Sequence, residues 1–526
     1  MQENSSVDQI LYRNENKTME EEKMEIDLSK NTVVCGDNLE WLNWISDGSV
    51  DLCYIDPPFF SNRNYEIIWG NGYETRSFGD RFSGGIKRYI EWMEERIKII
   101  HCKLKNSGAI FLHCDTNANH RLRVSLDEIF GEQNFKNQIS WKRCDSHNDS
   151  KKQFSAVTDT ILFYQKTNAF SFNIQYTNHA EKTLKEWYQY LELPDGTTRK
   201  MTKEENNTQV IPEGARRFNT GDLSSPNPRK NLMYLYKEHS HPKNGWRVDQ
   251  TKMADLDKQN KLLFPVKKTG RIMKKNYLDE QNGAVVGDCW LDVDFIRGND
   301  CECCGYKTQK PEELIKRIIE CSSKEGDIIL DCFGGGGTTA KVAVDLKRKF
   351  ITGDVSPVAV KIMSERLSKN GFQDFETKNI PCTIEEFISL NPHSFAELIC
   401  EVQGWEVNPK KSGEGGIDGW AKIKGERIPV QVKNQQNPTG RPDIQKFHSA
   451  ITTSKCNTGI FVSWEYSSFA VERIVELKKE HGIEITAMHC SEILKNLIID
   501  AEKRKELNQY YTERFPENWK KLEQSA

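Results

Sequence analysis

Asp56-Pro57-Pro58-Phe59 closes an apolar run, Val50 to Ile55, and continues into Phe60-Ser61-Asn62. Neither proline can donate a strand hydrogen bond and both fix φ, so the acid sits in a rigid turn at a strand end. There a carboxylate and a free carbonyl can accept from an amine while the ring stacks on a flat face. Alone, the tetrapeptide reads more simply as a strand-terminating turn. A second motif changes that balance. Ile328-Ile329-Leu330-Asp331-Cys332-Phe333 runs into Gly334 through Gly337, Thr338 and Thr339, and an amphipathic stretch follows with Ala340, Val342, Ala343 and Leu346. Glycines between a strand and a helix let a ligand approach the backbone beside the helix N-terminus. Gly335, Gly337 and Ala340 satisfy G-x-G-x-x-A, so a nicotinamide enzyme stays in view, whereas a P-loop is excluded because no Gly-Lys-Ser/Thr follows. The next apolar run, Lys349 to Gly353, ends in Asp354, an acid placed to accept from ribose hydroxyls.

A third group lies near the C-terminus. Phe395 to Val402 reads as a helix, and Gly415-Gly416-Ile417-Asp418-Gly419 precedes the strand Ile428-Pro429-Val430-Gln431-Val432-Lys433. On a strand Gln431 and Lys433 share one face and Val430 and Val432 the other. With Asp418 on a neighbouring strand, Asp418 and Gln431 can gather around a divalent cation such as Mg2+. The cation would activate water against a phosphodiester while Lys433 stabilises developing charge. Glu397 or Glu401 is available as a further acidic ligand.

The net charge of −3 does not advertise a nucleic-acid binder, but its distribution does. From Arg199 to Lys275 there are 18 Lys and Arg against 8 Asp and Glu, interleaved with Phe218, Tyr234, Tyr236, Trp246 and Phe264. A basic, irregular insertion suits phosphate contacts for affinity, with a few side chains left to read base edges. Arg216, Arg217, Arg229, Lys230 and Arg247 are the candidate DNA contacts. The 15 cysteines are scattered over 526 residues, which is unlike a small secreted disulfide framework and reads as reduced thiols in a cytoplasm. Cys301, Cys303 and Cys304 form the one cysteine cluster. A zinc site there needs a fourth ligand such as Cys289 or His241, and the spacing is unlike a paired C-x-x-C knuckle. No apolar run reaches the ~18–20 residues that span a bilayer, and the charged N-terminus lacks a signal-peptide pattern.

Several elements must hold these groups. Residues 1–28 are polar and read as a disordered tail. Strand, turn and helix signals alternate over 29–149, including Tyr89 to Leu104 and Ala109 to Cys114. The basic insertion is placed at 150–285. The alternation resumes over 286–375 with a helix from Pro311 to Ser322, and 376–526 forms a separate module that includes the strand Thr458 to Ser463. Alternating strands and helices imply a mostly parallel sheet covered on both sides, an α/β fold.

Together, the D-P-P-F motif and the later D-x-F-x-G-x-G-T-T motif resemble those of the amino-methylating DNA methyltransferases that use S-adenosylmethionine, in the order of their β group. Val34-Cys35-Gly36-Asp37-Asn38 resembles the segment that meets the cofactor's adenine. Gly305-Tyr306-Lys307-Thr308-Gln309-Lys310-Pro311 resembles the G-Y-P-T-Q-K-P segment at its methionine end, and Phe111-Leu112-His113-Cys114-Asp115 a strand characteristic of these enzymes. Phe59 stands where Tyr is commoner, and Cys332 and Lys307 where Pro is. The resemblance implies a doubly wound, Rossmann-like methyltransferase domain with one antiparallel strand, and places a target-recognition region in the insertion. It assigns Asp56, Pro57, Pro58 and Phe59 to catalysis, and Asp331, Phe333, Gly335, Gly337, Asp354, Asp37, Thr308 and Lys310 to the cofactor. It favours adenine N6 over cytosine N4, because the cytosine enzymes more often begin the motif with Ser. The target base would be flipped from double-stranded DNA.

The Gly-Ile-Asp-Gly and Gln-Val-Lys segments resemble the Mrr-type restriction-endonuclease-like fold, an α/β/α module, with Gln431 where Glu is more usual. A chain with both sites working would modify and restrict DNA. A degenerate nuclease fold kept for DNA binding, an RNA substrate, and a non-enzymatic DNA-binding protein are the other readings. No helicase-type ATP motif is present, so translocation would need a separate restriction subunit. A homodimer is the other partnership implied.

Overall fold

The computed structural model describes residues 24–59, 85–145, 154–265, 270–297, 300–304, 306, 308–408, 416–423, 425–495, 497–498 and 501–514. The chain divides into two compact units, one formed by Met1–Asn173 with Asp288–Ala526 and the other by Ile174–Gly287.

Nine strands of the first unit form one sheet: β1 (Asn31–Cys35), β2 (Val50–Ile55), β3 (Leu104–Cys114), β4 (Phe135–Lys142), β5 (Thr158–Gln165), β6 (Cys289–Trp290), β7 (Ile328–Asp331), β8 (Lys349–Asp354) and β9 (Phe375–Lys378). Their order across the sheet is β6-β4-β5-β3-β2-β7-β8-β1-β9. Every pairing is parallel except the two made by β5, which runs antiparallel to both β3 and β4. This is the doubly wound sheet with its one reversed strand. β2, β7 and β8 are apolar and almost wholly buried because helices cover both faces. The helix Gly85–Lys103 turns Tyr89, Met93, Ile97 and Ile100 onto one face of the sheet, and Glu312–Ser322 does the same with Leu314, Ile315, Ile318 and Ile319.

Two expected boundaries move. β5 belongs to the central sheet, so the insertion begins at Ile174 rather than at 150. Ile26 is buried in the core against this sheet, so order reaches at least that far into the expected tail; residues 1–23 lie outside the described residues.

The second unit has its own five-stranded antiparallel sheet and its own core around Leu232, Trp246, Met253, Leu262 and Ile272. The C-terminal module of the first unit carries β10 (Glu406–Val407), β11 (Gly419–Ile423), β12 (Glu426–Lys433), β13 (Thr458–Ser463) and β14 (Glu484–His489), paired in that order. The helix Pro392–Gln403 packs Phe395 and Ile399 on one face with Val430 and Val432. Arg441–Thr453 and Ser468–His481 pack Phe447 and Leu477 on the other, an α/β/α sandwich. Val358 and Ile362 of the helix Pro357–Lys369 join this module's core, so one helix serves two sheets.

Candidate active site and its surroundings

Asp56 follows β2, Asp331 ends β7, Asp354 ends β8, and Asp37 lies just beyond β1. These are neighbours in the sheet, in the order β2-β7-β8-β1, so the acids line one carboxyl edge. That edge is where open parallel sheets take ligands.

Asp56 Oδ2 accepts from Lys310 Nζ, whereas Oδ1 is buried with no partner among the described residues. The Phe59 ring packs 5.9 Å from that of His113. His113 is fully buried, with the Tyr54 hydroxyl 3.1 Å from Nδ1 and Asp159 Oδ2 3.3 Å from Nε2. Burial works to raise the Asp159 carboxyl, but His113, Arg143 and Lys310 together hold it below the ordinary carboxylate range. This support beneath Phe59 is missing from the expected site. The only signal for it was an ionisable residue inside the apolar run Phe111 to Cys114. Burial pushes the thiols of Cys53, Cys114 and Cys332 well up, so all three are protonated and poor nucleophiles at neutral pH.

A cleft opens beside this point, lined by Gly36, Asp37, Trp92, Phe333 and Asp354 among others. Gly36 has φ +135°, which a side chain resists, and a β-carbon there would meet Asn379 Nδ2 at 3.0 Å. Asp37 is held by Arg96, which donates to Asp37 Oδ1 at 2.8 Å, to Asn38 Oδ1 at 2.6 Å and to the Trp92 carbonyl at 3.0 Å. The guanidinium also sits 3.9 Å from the centre of the Trp92 ring, and that ring lies 5.8 Å from Phe333. Trp92 and Arg96 were not anticipated. They are four apart on one helix, a spacing that brings side chains together. Two carboxylates with two ring faces suit an adenosine: hydroxyls and an amine to donate, and a flat ring to stack.

Asp354 accepts from Gly335 N at 3.0 Å and Ser356 N at 2.9 Å, and burial raises its pKa. Gly335 and Gly337, expected at the cofactor, instead make room for protein. A β-carbon would meet the Tyr306 ring at 2.7 Å from Gly335 and Met363 at 2.4 Å from Gly337. Thr308 and Lys310 do not line the cleft, and Gly305 and Lys307 lie outside the described residues.

Asp331 is wholly buried and its pKa is raised to about 7, by burial first and by nearby Asp56 and Asp354 as well. Bonds from Thr339 Oγ1 at 2.6 Å and Phe333 N at 3.0 Å oppose the rise. The folded chain therefore binds this proton more tightly than the unfolded one. Its contribution to stability is complete below the ordinary carboxylate range and disappears as the pH climbs through about 7. Urea titrations at pH 5 and pH 8 are expected to show wild type gaining more over Asp331→Asn at the lower pH. A difference that does not move with pH would contradict this.

The insertion sorts the candidate DNA contacts. Arg217 is corrected: it is buried at 7% exposure and donates to the carbonyls of Tyr188 and Leu184 and to Gln209 Oε1. Arg216 pairs with Asp279 and Glu280 and lies over Tyr277 at 3.8 Å, so its charge is already matched. Arg229, Lys230 and Arg247 are exposed on two loops laced together by Arg229 N to Asn244 O and Arg247 N to Leu223 O. Arg217→Ala is expected to destabilise the insertion by on the order of 3 kcal/mol, since three acceptors lose their donor. Hydrogen exchange confined to Ile174–Gly287 would reveal it. Substituting Arg229 or Arg247 would leave exchange unchanged.

In the C-terminal module, Asp418 Oδ2 accepts from Val432 N at 2.7 Å, and burial raises the Asp418 pKa. Gln431 is buried with Oε1 unpartnered among the described residues, and Lys433 lies 3.7 Å from Asp443. Glu397 pairs with His393 at 3.1 Å, and Glu401 accepts from the Ser356 hydroxyl. Among the described residues no three His, Cys, Asp or Glu side chains come together as a metal ion would need, at Cys301 to Cys304 or here. Nor is any described helix long and apolar enough to cross a membrane.

Residues 50–365 match the family model described as DNA methylase, and 388–495 match one described as restriction endonuclease. The type II methyltransferase M.EcaI of Enterobacter cloacae is 27% identical over 378 residues, covering 70% of this chain and 76% of that protein. The type III restriction-modification enzyme StyLTI Mod subunit of Salmonella typhimurium is 26% identical over 479 residues, covering 85% of this chain and 64% of its own length. A solved structure of TTHA0409, a putative DNA modification methylase of Thermus thermophilus in complex with S-adenosyl-L-methionine, overlaps 66% of this chain and 97% of its own, with 14% identity and a TM-score of 0.33. The nicotinamide reading of the glycine motif falls away. By the extent of the first match, the chain belongs to the N6/N4 DNA methylase family, with a restriction-endonuclease-like module behind it.

Proposed function

We propose that the chain transfers a methyl group from S-adenosylmethionine to adenine N6 at a specific site in double-stranded DNA, as part of a restriction-modification system. One observation carries the reading: Asp56 Oδ1 is buried and has no partner among the described residues, at the carboxyl end of β2 and on the sheet edge whose other acids, Asp37 and Asp354, line the cleft. A buried acceptor without a donor is costly, and a base amine would supply the donor. Asp56 and the Pro57 carbonyl accept from the two amine hydrogens, and Phe59 stacks on the ring. The lone pair is thereby aimed, and rate comes chiefly from orientation. The nitrogen gains a methyl and gives up one proton, which passes by way of the Asp56 carboxylate to solvent. Bound in the cleft, S-adenosylmethionine supplies an electrophilic sulfonium methyl, and Asp37, Asp354, Phe333 and Trp92 would hold its adenosine. Asp331 braces this edge through Thr339.

Arg229, Lys230 and Arg247 are the insertion's phosphate contacts on this reading, with Arg216 released only if Asp279 and Glu280 give way. In the C-terminal module Asp418 and Gln431 would hold Mg2+, with Lys433 as the charge stabiliser. The unpartnered Gln431 Oε1 supports the placement, and one negative charge fewer than usual implies a weak site. The Mod-subunit relative supports a separate restriction partner.

Nucleoside mass spectrometry on unmethylated DNA incubated with protein and S-adenosylmethionine tests the reading. N6-methyladenine is the expected product. N4-methylcytosine would keep the chemistry and overturn the base. No methylated base, with DNA and cofactor shown to bind, would overturn the DNA reading in favour of an RNA acceptor.

A further inference from the structure

Lys310 has no task in the chemistry above, yet its ammonium is on the catalytic acid. It precedes the helix Glu312–Ser322 and stands 254 positions from Asp56 in sequence, and the two pair directly through Oδ2. Both side chains are largely withdrawn from solvent, at 12% and 16% exposure. Lys310 Nζ also lies 5.4 Å from the centre of the Phe59 ring and 3.5 Å from the Thr308 carbonyl. Withdrawing two charges from water is costly, and an ordinary surface staple has no need of it. The surroundings of this nitrogen are distinctive: a carboxylate to accept from it and an aromatic ring beside it. Those are the two complements that an exocyclic amine requires at the same place.

Resting on the reading of Asp56 given above, the geometry points to Lys310 as the resident cation of the amine subsite. It holds the Asp56 carboxylate while no base is present and is displaced when a base amine arrives. The exchange breaks and makes hydrogen bonds only. Lysine leaves as an ammonium, and the carboxylate stays ionised. A base that takes the ammonium's place over Phe59 brings an N–H donor to Oδ1, which offsets the bond that Oδ2 loses, whereas a ring without N–H donors leaves both oxygens bare. Lys310 therefore makes the subsite selective for amine-bearing bases by penalising the alternatives. It is a specificity-determining residue that reaches the base only through Asp56.

Lysine acylation of the full-length protein, read by peptide mass spectrometry, tests this. Lys310 is expected to react slowly in wild type and several-fold faster in Asp56→Asn. Millimolar adenosine or cytidine is expected to speed its reaction in wild type. Purine riboside, which has adenine's ring system without the amine, is expected to leave it slow. Equal protection in Asp56→Asn, equal unmasking by all three nucleosides, or unmasking by none would overturn the assignment. The two readings fail separately. Methylated DNA without unmasking sinks the role of Lys310 alone. Unmasking by an amine-bearing nucleoside, with no methylated base in DNA, sinks the DNA methylation reading and leaves the displacement standing.

Discussion

Asp56→Ala is expected to lower kcat for methyl transfer by ~10²-fold or more, the scale seen when one preorganised hydrogen-bonding group is removed from a reacting centre. Dissociation constants for DNA and S-adenosylmethionine are expected to change by less than about threefold, because the interaction is made with the reacting amine. The physical basis is the geometry at the end of β2. Among the described residues Oδ1 has no partner to lose, and Oδ2 bonds to Lys310. Alanine therefore removes an acceptor from the reaction, and among the described residues the side chain left without its partner is Lys310, so the unfolding midpoint is measured alongside the rate. Single-turnover methylation with saturating DNA and cofactor is the appropriate measurement. A loss of rate matched by an equal loss of DNA affinity would mean that Asp56 positions the duplex and does not orient the amine.

Gly353→Ala should be a damaging single-methyl change at the carboxyl end of β8. A β-carbon there would lie 2.7 Å from the Val34 carbonyl oxygen and 2.7 Å from Cζ2 of Trp41, which is buried. Neither neighbour can yield easily, since Val34 pairs with Gly353 across β1 and β8 and the indole is packed in the core. Overpacking of this kind costs about 1–3 kcal/mol. The strain would fall directly on Asp354, the next residue, so S-adenosylmethionine binding should weaken about tenfold along with the unfolding midpoint. Calorimetric titration and urea denaturation on one preparation check both. An unchanged midpoint would show that the strands can part at this point without cost.

The parts of this site legible in the sequence are those whose chemistry is local. Asp56 and Asp331 each end an apolar run, and the turn residues after them fix their position within a few residues. What escaped detection depends on distance. Arg96 reaches Asp37 across 59 positions, and helical periodicity marked only the apolar side of its helix. Lys310 was grouped with the cofactor because its neighbours in sequence suggested it, whereas its partner in space is Asp56. β5 falls inside the expected insertion because charge, not periodicity, draws that boundary, although Asp159 to Gln165 is an unbroken buried run. Arg217 was recoverable: adjacent residues on a strand face opposite ways, so Arg216 and Arg217 cannot both meet a duplex.

The helix Pro357–Lys369 carries a consequence for inheritance. It follows Asp354, which lines the cleft, yet Val358 belongs to the C-terminal core and Ser356 donates to Glu401 there. The restriction-endonuclease-like module therefore shares a wall with its neighbour and does not hang from a tether. Severing the chain after β9 would leave an apolar patch on the remaining piece, prone to self-association. A foreign module exchanged into its place would have to bring its own complement to Val358 and Ile362. Lineages of this protein should then pass on the two modules as a matched pair, with changes on one side of the wall answered on the other.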